Sequence, residues 1–314
     1  MDDLIQRIKE SADQLATDEP ARGDLKILSR ALRELRYAFK VFSPYRRRHK
    51  VTVFGSARTS PGAPAYQQAV KFGKAMADNH WLVVTGAASG IMEAGHRGAG
   101  RDHSMGLNIL LPFEQESNPV IAGDHKLVYM KYFFTRKLVF VKECNAVVCL
   151  PGGFGTLDEA LEVLTLLQTG KRDMVPVVLL DAPGGDYWTA LDRFIRNHLV
   201  AGELISEEDV HLYRITDRYE DAVDEVLQFY RVYHSMRYVK DRLVLRVRQE
   251  IPASRLAALN DGFRDILTDG AIERSGALPE ERDEPDLSDL PRLVFRFNRR
   301  SHGRLRQLIN GMNE

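Results

Sequence analysis

The fold is decided by the stretch AVVCLPGGFGT at residues 146–156. Its first five residues are apolar throughout, which predicts a buried strand. The glycines that follow permit a tight turn with backbone N–H groups pointing inward. Thr156 then begins a helical pattern with leucine at 157, 161, 164 and 167. A strand, a glycine-rich turn and a helix in this order predict a phosphate site at the start of the helix.

The same alternation recurs on both sides of this stretch. Apolar runs followed by helical patterns begin at Val51, Trp81 and Met105, and a further apolar run begins at Val175. Strands that are apolar throughout and separated by helices are typical of a parallel sheet covered on both faces. We therefore predict an α/β fold, a Rossmann-like doubly wound parallel sheet, over residues 50–232.

Three glycine-rich turns follow three of these strands, at Gly55-Ser56, Gly86 to Gly90, and Gly152 to Gly155. In an open parallel sheet, ligands bind beyond the carboxyl ends of the strands at the switch point. The three turns are therefore predicted to meet at one ligand. None contains the Gly-Lys-Ser/Thr of a P-loop or the GxGxxG of a dinucleotide site.

Two flanking regions complete the predicted organisation. Residues 233–314 alternate strand, helix, strand and helix, which predicts a small α+β module with a regulatory or assembly role. Residues 1–49 are predicted to be helical, with a stripe that must cover the main domain or a second subunit. The stripe consists of Leu25, Leu28, Leu32, Leu35 and Phe39.

Composition disfavours several classes of protein. Lys plus Arg and Asp plus Glu both number 44, so the formal net charge is zero and nothing indicates nucleic-acid binding. The acidic start and the lack of a long apolar run predict neither a signal peptide nor a membrane span, and a cytoplasmic location is expected. Cys144 and Cys149 match no zinc or redox spacing and are expected to be small buried hydrophobes. No metal and no cofactor are expected.

Two sets of charged residues could carry chemistry, and each has a purely structural alternative. Thr156 and Glu159 have the spacing of a capping box, in which both side chains only satisfy the first helical amides. Arg136 and Lys137 follow an aromatic segment, where buried cations need an anion. A guanidinium suits bidentate phosphate binding, but the two cations could equally be a surface pair.

Together these motifs resemble the LOG ("Lonely guy") family, whose members were often mislabelled as lysine decarboxylases. The resemblance rests on the glycine turns, on Arg136-Lys137 and on the PGGxGTxxE pattern of residues 151–159, in that order. It covers roughly residues 50–230. Residues 106–119 further resemble the longer bacterial branch of the family.

The resemblance implies hydrolysis of a nucleoside 5′-monophosphate, such as AMP or a cytokinin riboside monophosphate, to the free base and ribose 5-phosphate. It makes Arg136 and Glu159 the catalytic pair. It also implies a homo-oligomer, a dimer or larger. With the glycine turns added, the predicted substrate-binding residues are Gly55, Ser56, Gly86, Gly90, Glu114, Lys137, Gly152, Gly153, Gly155, Thr156 and Thr165.

The predicted residues suit this chemistry. Breaking a C–N glycosidic bond passes through an oxocarbenium-like state, which a carboxylate stabilises while it orients water. The chain departs from many family members at Ala87 and Ala88, where they carry glycines, and the added methyl groups should leave less room near the ligand. The alternative function is a non-catalytic nucleotide-binding or molybdenum-cofactor carrier. Decarboxylation would need a lysine that binds pyridoxal phosphate, and Lys137 and Lys171 belong to phosphate-type motifs.

Overall fold

The computed structural model describes residues 2–111 and 116–314, and its centre is a parallel sheet. The seven strands, numbered along the chain, are β1 (Lys50–Phe54), β2 (Leu82–Thr85), β3 (Ser104–Ile109), β4 (Leu127–Met130), β5 (Ala146–Cys149), β6 (Val177–Leu180) and β7 (Arg214–Thr216). They lie in the order β4-β3-β2-β1-β5-β6-β7. Every neighbouring pair is parallel. The switch point therefore lies between β1 and β5.

Helices cover both faces of this sheet, which confirms the doubly wound α/β prediction. One face packs against α3 (Pro64–Asp78), α4 (Ile91–Ala99) and α8 (Tyr219–Phe229). The other packs against α2 (Arg22–Phe42), α5 (Phe133–Glu143) and α6 (Phe154–Gln168). The remaining helices are α1 (Asp2–Thr17), α7 (Tyr187–Phe194), α9 (Ala253–Gly262) and α10 (His302–Asn313).

The C-terminal module contains an antiparallel sheet of order β10-β11-β9-β8. Its strands are β8 (Tyr233–Val239), β9 (Arg242–Val247), β10 (Glu273–Ser275) and β11 (Arg292–Phe295). The predicted strands at β9 and β11 and the predicted helices at α9 and α10 are confirmed. The prediction missed β8 and β10. Polar residues interrupt the apolar residues of β8, and β10 consists of Glu, Arg and Ser, so neither strand stands out as an apolar run. Buried residues of α10 join the same apolar cluster as those of α6, so the module shares the core of the main domain.

The N-terminal helices confirm the helical prediction but not the covered stripe. Along α2, the residues that are buried are Glu34, Ala38 and Phe42. Leu35 packs against the core, whereas the rest of the predicted stripe is exposed: Leu25, Leu28, Leu32 and Phe39. These four residues therefore do not cover the main domain, and the alternative, that they cover a second subunit, stays a prediction. The buried side of α2 instead contains Glu34, whose carboxylate accepts hydrogen bonds from Lys131 N and Thr135 Oγ1 and so fixes which side of the helix faces the domain.

Two strands of the main sheet, β4 and β7, escaped prediction because each is a short edge strand. The apolar run of β4 is only four residues long, between Lys126 and Lys131, and β7 has three residues that include the exposed Arg214. Cys144 and Cys149 are buried and free, as expected. Within the described ranges, no helix is both long enough and apolar enough to cross a membrane.

Candidate active site

The glycine turns meet at a cavity of about 470 Å³ beyond the carboxyl ends of β1, β2, β3 and β5. Its walls come from the turns after β1, β2 and β5, from the end of β3, and from α5 and α6. The cavity brings together eight of the predicted site residues: Gly55, Ser56, Gly86, Arg136, Gly153, Gly155, Thr156 and Glu159. A cavity of this size is suitable for a small-molecule ligand.

Backbone contacts hold the three turns together. The amide of Ser56 donates to the carbonyl of Pro151 at 3.2 Å, and the amide of Ile91 donates to the carbonyl of Ser56 at 3.0 Å. A Cβ at Gly90 would lie 2.3 Å from the Ser56 carbonyl oxygen, and Gly90 also has a φ of +66°. A Cβ at Gly152 would lie 2.1 Å from Thr156 Oγ1. Gly90 and Gly152 therefore permit close packing between turns and do not line the cavity.

Helix α6 starts two residues before the predicted position. Its N-cap is Gly153, so Thr156 lies within the first turn, and no side chain caps the helix. The capping-box alternative for Thr156 and Glu159 is therefore wrong, and Glu159 is available for another role. Gly153 and Gly155 have open space where a Cβ would be, so the start of α6 presents bare backbone to the cavity.

Arg136 is a buried cation that lacks a full set of partners. Its side chain is 14% exposed, and its guanidinium lies 5.1 Å from the ring centre of Phe133 and 5.7 Å from that of Phe140. The nearest carboxylate atom is Oε1 of Glu159, 3.9 Å from Nη2. Nε is buried and has no hydrogen-bond partner among the described residues. Because an unpaired buried donor is costly, the guanidinium is suited to receive an anionic or hydroxylated ligand.

Glu159 projects from α6 into the cavity wall beside Arg136 and is 5% exposed. Burial raises the pKa of its carboxyl group, and this outweighs the opposing effect of Lys137 and Arg136, whose positive charges lower it. The neighbouring carboxylate of Asp158 is 61% exposed. Of the two neighbouring carboxyl groups, Asp158 and Glu159, it is therefore Glu159 that can face a ligand in a poorly hydrated site.

Lys137 lies behind Glu159 rather than in the cavity wall. Its Nζ is 3.4 Å from Oε2 of Glu159, 3.0 Å from Asp158 and 2.6 Å from Glu162. These contacts position the Glu159 carboxylate, so a direct substrate contact from Lys137 stays a prediction.

Thr165 is a predicted contact that does not line the cavity. Thr165 is exposed, and its hydroxyl donates to the carbonyl of Leu161 at 2.8 Å. Glu114 falls outside the described residues. Contacts from Thr165 and Glu114 to substrate stay predictions.

The turn after β2 shows which of the methyl groups of Ala87 and Ala88 reduces the room for a ligand. Ala87 has a φ of +59°, and its methyl group packs in an apolar cluster with Ile121 and Leu127. Only Ala88 lines the cavity, so the expected loss of room comes from one methyl group, not two. Asn118 holds the strained turn, since its amide donates to the Ala87 carbonyl and its carboxamide donates to that of Ala88.

Several residues of the cavity wall were not predicted as site residues. They come from the turn after β1, from α4, from the end of β3 and the connection to β4, from α5 and from the start of α6. In the sequence, only their position next to a strand end or on an apolar helix face could have indicated a site. They include Arg58, Met92, Asn108, Ile109, Leu111, Glu116, Phe133, Phe140 and Phe154.

Comparison with known proteins identifies relatives of the chain. Residues 84–226 match the family model described as "Possible lysine decarboxylase". The cytokinin riboside 5′-monophosphate phosphoribohydrolase LOG7 of Arabidopsis thaliana is 32% identical over 180 residues, which cover 52% of this chain and 79% of that protein. The probable phosphoribohydrolase LOG6 of Arabidopsis thaliana is 38% identical over 128 residues, 40% of this chain and 60% of that protein. The chain thus spans less than two thirds of LOG6.

Solved structures share the general fold at a lower level of likeness. The molybdenum cofactor binding protein from Rippkaea orientalis is 19% identical, with 56% of this chain and 94% of that chain covered and a TM-score of 0.40. The Moco carrier protein from Chlamydomonas reinhardtii is 22% identical, with 58% and 96% covered and a TM-score of 0.39. These scores are too low to favour a carrier over an enzyme.

The family resemblance predicted from the motifs is therefore confirmed by an independent match. LOG7 is 32% identical and is matched over 79% of its length, and the family model covers the segment that holds Arg136 and Glu159. The chain belongs to the LOG family.

Proposed function

We propose that the protein hydrolyses the N-glycosidic bond of a nucleoside 5′-monophosphate, of the AMP or cytokinin riboside monophosphate type. The products are the free base and ribose 5-phosphate. The names of the curated relatives LOG6 and LOG7 support this class of reaction. The alternative, a carrier that binds a nucleotide without cleaving it, is an outcome of the tests below.

One observation carries the proposal: a buried guanidinium and a buried carboxyl group face the same cavity at the start of a helix. Arg136 and Glu159 are 3.9 Å apart, and Arg136 Nε lacks a partner. The bare backbone of Gly153 and Gly155 at the start of α6 suits the phosphate, because free N–H groups and the helix dipole both favour an anion there. The ribose would then lie against the side chains of Arg136 and Glu159, next to the phosphate.

The reaction follows from this placement. As the bond from C1′ to the base nitrogen lengthens, positive charge develops on the ribose, and the Glu159 carboxylate stabilises it. The same carboxylate orients a water molecule, whose oxygen bonds to C1′. The bonding electron pair leaves with the base, and water supplies the proton that the base gains. No further reactant is needed.

We predict that Glu159→Gln abolishes base release while nucleotide binding persists. The amide keeps the size and hydrogen-bonding capacity of the side chain but cannot stabilise positive charge on the ribose. Free adenine released from AMP, measured by liquid chromatography, checks the prediction, with binding followed by calorimetry.

Asp158→Asn is the matched control, because it removes the adjacent but exposed carboxylate. It is expected to retain most of the activity. If Glu159→Gln turned over as fast as Asp158→Asn, Glu159 would not be the catalytic carboxylate.

A second prediction concerns pH. The carboxylate is the active form, and burial raises its pKa, so activity should fall on acidification at a pH above the ordinary value for glutamate of about 4.3. Lys137 lowers the pKa of Glu159. Lys137→Ala should therefore raise that pKa further and move the acid limb of the kcat profile to higher pH.

Lys142→Ala serves as the control for this shift, because Lys142 is half exposed and pairs with Glu143 away from the cavity. Its acid limb should coincide with that of the wild type. An acid limb that moves to lower pH in Lys137→Ala would contradict the assigned role of Lys137.

We also propose that the protein is a homo-oligomer. Helices α2 and α5 lie side by side, joined by the hydrogen bond from Thr135 to Glu34 and by Lys142 over the ring of Phe39. Exposed apolar side chains on one side of the molecule are best covered by a second copy. On the two helices they are Leu25, Leu28, Leu32, Phe39, Phe133, Phe134 and Leu138.

Light scattering at micromolar concentration should give a mass of at least twice the 35.6 kDa of one chain. Leu138→Glu should lower that mass, because it places a charge in the proposed interface, where Leu138 is 47% exposed. Leu204→Glu, at a more exposed leucine outside these helices, should leave it unchanged. A wild-type mass of one chain, or an oligomer that tolerates Leu138→Glu, would count against the proposal.

A further inference from the structure

Asn108 stands out in the cavity wall as a polar side chain without an assigned role. It lies one residue before the carboxyl end of β3 and is 4% exposed. Its carboxamide makes no hydrogen bond to any residue in the described part of the chain, although it lines the cavity. Buried amide groups are normally paired, and an unpaired one calls for an explanation. The cavity is where such a partner can enter.

The strand order places Asn108 far from the phosphate end of the cavity. From β3 to β5 the sheet passes through β2 and β1, which corresponds to three strand intervals, or about 14 Å. The start of α6 follows β5 and suits the phosphate, whereas Arg136 Nη1 lies 3.7 Å from the position of a Cβ at Gly86, in the turn after the intervening strand β2. A mononucleotide can bridge these points only with its phosphate at α6 and its base towards β3.

The wall beside Asn108 is suited to a flat ring. Ile109 and Leu111 continue from β3, and Met92 and Phe133 add apolar surface. In the described part of the β3–β4 connection, Glu116 is a further polar side chain that lines the cavity, and its carboxylate only accepts hydrogen bonds when ionised. A base that presents an amino group is favoured over one that presents a carbonyl oxygen in its place.

We propose that Asn108 determines base specificity by pairing with the amino edge of a 6-aminopurine. A carboxamide offers one acceptor and one donor side by side. Its oxygen would accept from the 6-amino group, and its nitrogen would donate to the adjacent ring nitrogen, as asparagine does with adenine elsewhere. Adenine nucleotides keep an N–H for this pairing, also with a single substituent on the 6-amino nitrogen, whereas a 6-oxopurine presents an acceptor in its place. This inference rests on the proposed function in taking a nucleoside 5′-monophosphate as the ligand.

A purely structural role for Asn108 does not fit the contacts. Structural asparagines elsewhere in the described chain are paired: the Asn145 carboxamide accepts the amide of Lys50, and the Asn313 carboxamide accepts the amide of Val232 and donates to the carbonyl of Phe229. Asn108 has no such bond, and leucine at this position would pack well against its apolar neighbours. The distance across the sheet separates Asn108 from the proposed phosphate site at the start of α6.

The test compares AMP with purine riboside 5′-monophosphate, which lacks only the 6-amino group. Dissociation constants are measured by calorimetry in the Glu159→Gln background, where hydrolysis does not interfere. We expect AMP to bind more tightly by roughly 5- to 100-fold, the range for a two-point base contact. Asn108→Leu should bring the ratio close to one by weakening AMP, with little effect on the analogue. Asn108→Thr, a residue well suited to a strand but too short for both contacts, should do the same if the leucine variant does not fold.

Asn145→Leu is the matched control, because it removes a partly buried carboxamide contact at the amino end of β5, away from the cavity. It should lower thermal stability without changing the ratio. Equal binding of the two nucleotides in the Glu159→Gln protein, a ratio that survives substitution of Asn108, or no binding of AMP would overturn the inference. If the ratio behaves as expected but the wild type releases no adenine, base recognition stands and the proposed hydrolysis fails.

Discussion

The site depends on a contact between backbones at the switch point of the sheet. The turn after β1 lies against the turns after β2 and β5, so that Ser56 bonds to both Pro151 and Ile91 through the main chain. Side chains at Gly90 or Gly152 would push these turns apart. Because the turns also start α4 and α6, the contact fixes where both helices begin. The position of Glu159, one turn into α6, follows from it.

Burial of charge at this site lowers the stability of the folded chain, and a bound ligand that pairs with the buried groups can offset this loss. Removing Arg136 and Glu159 from water is unfavourable, and a separation of 3.9 Å without a hydrogen bond offsets only part of that cost. Lys137 compensates from behind, where it contacts three carboxylates. The donors of Arg136 remain free on the cavity side. An arrangement that leaves donors unfilled without a ligand is expected of a binding site rather than of a structural ion pair.

The sequence predicted the parts of the fold that follow from repeated physical patterns. Strands buried on both faces are apolar throughout, so β1, β2, β3, β5 and β6 were recognised, whereas the exposed edge strands were not. The glycine turns predicted where the ligand lies, because turns after parallel strands share one edge. The start of α6 was misplaced by two residues, since the helix begins at Phe154 rather than at Thr156. Asn108 was missed as a site residue because nothing in a strand pattern tells which residue near its end faces a cavity. The direction of the Ala87 methyl group depended on a positive φ that the sequence does not reveal.

The central claim is that the cavity cleaves the bond between base and ribose. Its most direct test is to incubate the full chain with AMP and quantify adenine, ribose 5-phosphate, adenosine and inorganic phosphate by mass spectrometry. The account predicts that adenine and ribose 5-phosphate appear in equal amounts, matching the AMP consumed. AMP that binds but is not consumed, or that yields adenosine and phosphate, would contradict it.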